Sequence, residues 1–182
     1  MILGTTRSSH QRMTTTVGPT GRLGAMPRQV VVTRSSVVPR SPQVVWDRVT
    51  SPEGIDAEMR PLLSMRMPRE MAGRRIEDLP LDEPLGRAWL LLLGVLPVEY
   101  DDFSLMAVDP PRSFHEDSRL LSARRWQHRR ELEPVTGGTR VTDTLTVDPR
   151  ALVPGLLVRA VVGALFAHRH RRLARWARTS LS

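Results

Sequence analysis

Three ionisable residues in the second half of the chain have the spacing of neighbours on one face of a β-hairpin. In RRWQHRRELEP, His128 and Arg130 alternate with residues of the opposite face, and Asp143 has the equivalent position in RVTDTLTV. The PVTGG segment between these stretches is typical of a tight turn. We predict a hairpin closed by a four-residue loop at 135–138, with Arg130 opposite Asp143 and His128 opposite Leu145.

A histidine beside a carboxylate is suited to proton transfer, because the ordinary pKa of imidazole lies near neutral pH. His128 is therefore the main candidate for acid–base catalysis, with Asp143 or Arg130 as its partner. Glu116, in the strand-like segment FHEDS, is a further candidate if Phe114 faces the interior, although an exposed Glu116 also fits the pattern. Two other interpretations remain open: Arg130 and Asp143 form a structural ion pair that also binds His128, or these polar groups anchor a ligand.

The chain as a whole predicts a strand, two short helices, several further strands and a long final helix. β-branched residues favour a strand at 29–38, and Ser41-Pro42 and Ser51-Pro52 are typical helix starts. The remaining elements are strands at 64–70, 87–93, 98–108, 113–121, 124–132 and 141–147, and a helix at 152–178. Residues 1–27 show no periodicity and are predicted to be disordered, which leaves 28–178 as one domain.

Composition argues against several classes of protein. The chain has no cysteine, so disulfides and thiolate chemistry are excluded. It also lacks a Gly-rich phosphate loop, a Gly-x-Ser-x-Gly elbow and any His, Asp or Glu cluster at metal-ligand spacing, so we expect no metal and no cofactor. The start of the chain has no apolar signal-peptide region, which favours a cytoplasmic location.

The net charge of +8 is concentrated at the two ends of the sequence. Residues 1–50 and 151–182 each carry a net charge of +6, whereas residues 51–150 carry −4. All 27 basic residues are arginine, which is typical of a high-GC bacterium rather than of selection for phosphate contacts. We therefore expect no nucleic-acid partner.

The final helix has two unlike halves. LVPGLLVRAVVGALFA is apolar nearly all round yet too short to span a bilayer, so we expect no stable membrane insertion, and HRHRRLARWAR is basic. We predict that the sheet grips the apolar half and that the basic half projects into solvent, with Leu173 and Trp176 on the sheet rim. A basic surface that binds RNA or an anionic membrane is the alternative. His168 and His170 do not share a helix face, so they are poor joint metal ligands.

The segment SPQVVWDRVTSPEGI resembles the opening of the START-like SRPBCC superfamily. VDPPRSF, RRWQHRRELEPVTGGTRVTD and FAHRHRRL are similar to a bacterial branch of it described as polyketide cyclase/dehydrase-like, and the resemblance covers residues 28–175. It implies an α+β helix-grip fold. In that fold a curved antiparallel sheet of about six or seven strands wraps around a long C-terminal helix, and two short helices follow the first strand.

The resemblance also implies a hydrophobic small-molecule ligand, polyketide-like or lipid-like, held between the sheet and the final helix. The protein is then either a cofactor-free cyclase or dehydratase of secondary metabolism that uses His128, or a non-catalytic carrier or sensor, as a monomer or homodimer. Residues expected to line or fill the interior are Trp89, Leu91, Leu93, Phe103, Leu105, Trp126, Leu145, Leu157, Val161 and Leu165.

Overall fold

The computed structural model describes residues 29–71 and 74–179. The disorder predicted for residues 1–27 therefore lies outside the described residues. In chain order the elements are β1 (Val30–Val38), α1 (Pro42–Val49), α2 (Pro52–Met59), β2 (Leu63–Arg66), short 3-10 turns at Arg69–Met71 and Ile76–Asp78, β3 (Pro84–Leu92), β4 (Leu96–Asp109), β5 (Ser113–Leu120), β6 (Ala123–Val135), β7 (Gly138–Pro149) and α3 (Gly155–Thr179).

The seven strands form one antiparallel sheet in the order β1-β7-β6-β5-β4-β3-β2. Strands that follow one another in the chain are neighbours in the sheet, except for β1 and β2. These two strands form opposite edges of the sheet, and β1 pairs with β7. The long helix α3 packs on β1 and on α2. This curled sheet with a long C-terminal helix and two short helices after the first strand is the helix-grip α+β fold, so the predicted fold is confirmed.

The β6–β7 hairpin has the predicted register. Arg130 lies opposite Asp143 and His128 opposite Leu145. The turn is tighter than predicted, because Val135 pairs with Gly138 and only two residues remain between the strands. Gly138 has φ +147°, and a Cβ at this position would lie 2.0 Å from the carbonyl oxygen of Val38, so glycine is required.

The two short helices are positioned by their starts and by close backbone contact. Ser51 caps α2 by accepting a hydrogen bond from the Gly54 amide at 3.0 Å, whereas Ser41 makes no such bond and α1 begins at Pro42. A Cβ on Gly54 would lie 1.6 Å from the carbonyl oxygen of Arg48. This contact lets α2 fold back closely on α1 and places Glu58 toward the sheet.

Two packed regions of the interior include buried residues of α3. The larger contains Trp46 of α1, Leu105 of β4 and Leu173 near the end of α3. The smaller contains Leu145, Val162 and Phe166. The core therefore follows the stripe of α3 that includes Val162, Phe166, Arg169, His170, Leu173 and Ala177.

One side of the apolar half of α3 is packed, with Val162 and Phe166 buried, but the prediction for the rest of the helix is wrong. Leu156, Leu157 and Val161 of its apolar half are exposed, whereas Arg169 and His170 of its basic half are buried. The prediction weighed apolar character alone. Two carboxylates on other elements, described below, compensate the buried basic groups and make this orientation favourable.

Candidate functional site

Asp143 of β7 is the centre of a buried polar cluster. Its Oδ1 accepts hydrogen bonds from Arg130 Nε and His128 Nε2, both at 2.7 Å. Its Oδ2 accepts from Arg130 Nη2 and His170 Nε2, both at 2.8 Å. The hairpin register aligns Arg130 with Asp143, and α3 supplies His170 from above the sheet. Asp143 is fully buried, so these donors replace its water shell.

Glu58, at the end of α2, is the second anion of the cluster. It accepts hydrogen bonds from Arg130 Nη1 at 3.1 Å and from Arg169 Nε at 3.0 Å, and Arg169 Nη2 lies 2.9 Å away. Two carboxylates therefore face two guanidinium groups, and Arg130 bridges them. Sequence analysis missed Glu58 and Arg169, because each contact links residues distant in sequence.

The charges of the cluster fix its protonation. Burial alone would raise the pKa of Asp143, but the charge of Arg130 and hydrogen bonds from Arg130, His128 and His170 hold it well below its usual range. Burial opposes ionisation of Glu58 too, but Arg130 and Arg169 lower its pKa. Both carboxylates are thus ionised near neutral pH and act as acceptors.

An ionised Asp143 determines which atom of His128 is available for chemistry. Because the carboxylate only accepts, His128 Nε2 carries a hydrogen, and Nδ1 is the ring nitrogen that Asp143 does not bind. That atom lies 3.6 Å from Glu116 Oε2. The rings of Phe114 and Phe166 contact the imidazole edge-on, at centroid distances of 5.3 and 5.2 Å, and hold its orientation.

Glu116 belongs to a second buried acidic group on β4 and β5. Its Oε1 accepts a hydrogen bond from Ser118 Oγ at 3.0 Å, and the carboxyl group of Asp101 lies close enough to interact with it. Burial, followed by the negative charge of Glu116 and a hydrogen bond to it, raises the pKa of Asp101 well above its ordinary value. Burial and the neighbouring carboxylate therefore both oppose ionisation of Asp101. The alternative of an exposed Glu116 is wrong, since its side chain is buried.

His170 completes a polar path toward β1. Its Nδ1 lies 2.7 Å from Ser36 Oγ, and its Nε2 donates to Asp143. The two histidines thus share one carboxylate from opposite sides. The basic string of the final helix, interpreted as a solvated end, instead contributes this buried residue and Arg169.

A cavity of about 80 Å³ lies between strands β4, β5 and β6 of the sheet and the segment that contains α1, α2 and β2. Its polar wall includes Glu116, His128 and Arg169. Its apolar wall includes four methionines with aliphatic and aromatic neighbours: Val49, Ile55, Met59, Met65, Met67, Met71, Ile76, Leu79, Phe103 and Phe114. Among the described residues, α3 supplies only Arg169 to this lining, so the cavity lies beside α2 rather than under the final helix as predicted.

The structure places the predicted lining residues in three different environments. Phe103 lines the cavity, and Leu91, Leu105 and Leu145 are buried elsewhere in the interior. Trp126 and Leu165 are half-buried beside the smaller core region. The prediction of an interior position is wrong for four residues that are exposed: Trp89, Leu93, Leu157 and Val161. Trp89 is exposed opposite Arg66 at the end of β2.

The candidate catalytic residues are divided between the cavity and the layer behind it. His128 and Glu116 line the cavity, whereas Asp143 and Arg130 do not. Asp143 binds His128 from behind and orients it, and Arg130 in turn binds Asp143. The four Met residues of the wall were missed, although the run Met59, Met65, Met67 and Met71 in one short segment is a signal that an adaptable apolar surface leaves in a sequence.

Residues 36–177 match a family model described as a domain of unknown function, DUF8410. The chain belongs to this family. No curated protein matches the chain. Across the described residues, no helix is long and apolar enough to cross a membrane.

Solved structures share the fold at low sequence identity. A START superfamily protein from Mycobacterium smegmatis is 14% identical, with a TM-score of 0.61, over 82% of this chain and 97% of that chain. Protein CV1439 from Chromobacterium violaceum is 13% identical, with a TM-score of 0.62, over 80% and 96% of the two chains. DynU16, a protein of the dynemicin biosynthetic locus, is 19% identical, with a TM-score of 0.50, over 84% of this chain and 48% of that chain. This chain thus spans about half the length of DynU16.

Proposed function

We propose that this protein binds a hydrophobic small molecule carrying one polar group in the cavity between the sheet and α2. The observation that carries this proposal is the lining itself: an apolar, methionine-rich wall meets a polar wall of Glu116, His128 and Arg169. An apolar pocket with few convergent polar groups is the usual form of a small-molecule site. The polyketide-like or lipid-like ligand implied by the sequence resemblance has this chemistry.

The ligand enters by displacing methionine side chains. At about 80 Å³ the cavity is smaller than the roughly 300 Å³ or more of a typical ligand pocket. Methionine is unbranched and readily changes rotamer, so Met59, Met65, Met67 and Met71 make this wall adaptable. The polar wall stays fixed, because each of its side chains is hydrogen-bonded or paired to residues behind it.

Native mass spectrometry of the gently purified protein tests binding. We expect a discrete added mass that is lost in Ile55→Trp, which fills the cavity, and kept in Val44→Trp, which adds the same group at an exposed position of α1. Retention of the added mass by Ile55→Trp, with its fold intact by circular dichroism, would place the ligand elsewhere.

A second candidate function is proton transfer on the bound molecule, as in a cofactor-free cyclase or dehydratase. The pairing of Asp143 with His128 favours it, because it leaves Nδ1 to exchange a proton at the cavity wall beside Glu116. Asp143 orients the ring and stabilises the imidazolium that forms. In a carrier or sensor, the same groups only anchor the polar end of the ligand.

His128→Gln distinguishes the two functions. In an enzyme, the variant retains the co-purifying molecule with nearly unchanged affinity and loses turnover. In a carrier, its main effect is on affinity or stability. We also propose that the protein acts in the cytoplasm, as a monomer or homodimer, within the polyketide cyclase-like branch that its sequence resembles.

A further inference from the structure

Large apolar side chains are exposed on three loops: the β3–β4 turn, the β5–β6 turn and the loop between β7 and α3. The turn between β3 and β4 carries Leu93, Val95 and Leu96, and Val95 is 79% exposed. Leu121, between β5 and β6, and Leu152, between β7 and α3, are also exposed, the latter to 96%. Single exposed apolar residues are ordinary, but a group of them marks a surface that contacts an apolar partner.

The strand register places these loops at the same end of the molecule. Leu92 pairs with Leu96 and Asp101 pairs with Leu120, so the β3–β4 turn extends beyond the β5–β6 turn on the same side. Glu99 accepts hydrogen bonds from the Leu121 amide at 2.6 Å and the Ser122 amide at 3.2 Å. These bonds attach the β5–β6 turn to β4.

The loop before α3 joins the same surface. The Arg150 amide donates to the carbonyl oxygen of Ser122 at 3.0 Å, and Arg150 Nε donates to that of Leu121 at 2.8 Å. Leu152 lies two residues further along the chain, and the first turn of α3 carries Leu156, which is 84% exposed. The three loops and the start of α3 therefore form one end, which we call the apolar end.

Behind the apolar end, the β3–β4 hairpin carries aromatic residues and then arginines. Trp89 and Tyr100 lie opposite each other and stack edge to face at 6.0 Å. Arg66 pairs across from Trp89, and the Arg87 guanidinium lies 4.0 Å from the Tyr100 ring centre. An apolar tip, an aromatic layer and a basic layer follow the order of acyl boundary, interface and headgroups in a bilayer.

The charge around the apolar end is complementary to anionic headgroups. Arg66, Arg124 and Arg159 are exposed and form no ion pair within ranges 29–71 and 74–179. The nearby carboxylate of Glu99 is engaged by two backbone amides, and that of Asp102 is paired with Arg87 at 2.7 Å. A second copy on this surface would bring like charges together, whereas anionic lipids attract them.

We propose that the apolar end docks peripherally on an anionic phospholipid bilayer, with the β3–β4 turn at the acyl boundary and arginines among the headgroups. Docking of this kind needs no membrane-spanning helix, because only loop tips enter the interface. The proposal does not depend on what the cavity binds, since the cavity lining includes none of these residues.

Flotation of the full chain with phosphatidylcholine vesicles, with and without phosphatidylglycerol, tests the proposal. We expect binding to the anionic vesicles that weakens as salt is added. The double variant Val95→Asp/Leu96→Asp should bind at least about tenfold more weakly, because it places charge where apolar groups enter the bilayer. Val44→Asp is the matched control. It changes an exposed valine on α1. This helix follows β1 at the end of the sheet opposite to the apolar end, so the variant should bind as the wild type does.

Four outcomes would overturn the proposal. The first is absence of vesicle binding, and the second is an equal loss in Val44→Asp. The third is full binding by a folded Val95→Asp/Leu96→Asp variant, which would assign binding to another surface such as the C-terminal arginines. The fourth is a dimer in size-exclusion chromatography that the double variant dissociates, without vesicle binding, which would make a second copy the partner.

Discussion

The burial of the two halves of α3 differs from what their composition predicts. The first half is almost entirely apolar, yet Leu156, Leu157 and Val161 face solvent. The second half is rich in arginine and histidine, yet Arg169 and His170 are buried next to Phe166 and Leu173. Val162 and Phe166 of the first half are also buried, so both halves have a packed side, and groups outside the helix must explain why basic residues are enclosed.

The deciding groups are two carboxylates on other elements. Glu58 of α2 binds Arg169, and Asp143 of β7 binds His170. Burying an unpaired charge is prohibitively unfavourable, but hydrogen-bonded opposite charges remove most of that cost. Burial along α3 therefore depends on the carboxylate partners that its basic residues meet as well as on hydropathy. It also leaves the start of α3, with the exposed Leu156, free for the bilayer contact proposed above.

Removing the carboxylate of Glu58 should break this arrangement and have the largest effect. Glu58→Gln leaves Arg130 and Arg169 buried with insufficient negative charge, and we expect the free energy of unfolding to fall by about 3–5 kcal/mol. Denaturant unfolding measures it. Glu53→Gln, on an exposed residue of the same helix, is the control and should cost less than about 1 kcal/mol. Similar losses in both variants would show that the buried pairing is not what holds the basic half.

Two adjacent valines of the apolar half test which side of it is packed. Val162 is buried and Val161 is exposed. Val162→Ala should lower the free energy of unfolding by about 2 kcal/mol through lost burial and the cavity left behind. Val161→Ala should change it by less than about 0.5 kcal/mol, since alanine also favours the helix. Thermal or denaturant unfolding of the pair checks this, and equal effects would contradict the observed orientation.

Acid should reduce the difference between wild type and Glu58→Gln. A carboxyl whose pKa is lowered by folding adds stability above its unfolded pKa, which is about 4.3 for glutamate, and loses it as the pH falls through the folded value. Wild type should therefore lose stability below about pH 4 more steeply than the variant, which has no proton to take up at this position. A difference that stays constant down to the acid-unfolding transition would show that Glu58 does not titrate as inferred.

The strands, the two short helices and the β6–β7 register were predictable because they depend on local pattern. Alternation around the Gly-Gly turn correctly placed Arg130 opposite Asp143 and His128 opposite Leu145. Glu58 and Arg169 were not predictable in this way, because they meet through the packing of α2 against α3. Trp89 was predicted to lie in the interior but is exposed opposite Arg66, because its exposure depends on where β2 ends rather than on the alternation within β3.

The fold and the pairing in the hairpin could be predicted from the sequence. The hydropathy period, the turn residues and the helix starts all depend on residues that are close together in the chain. Long-range packing determines which residues of α3 are buried, where the cavity lies and which nitrogen of His128 binds Asp143. Each of these depends on groups far apart in the chain meeting in one low-dielectric space. There the charges of Arg130, Arg169, Glu58 and Asp143 are favourable together and unfavourable singly.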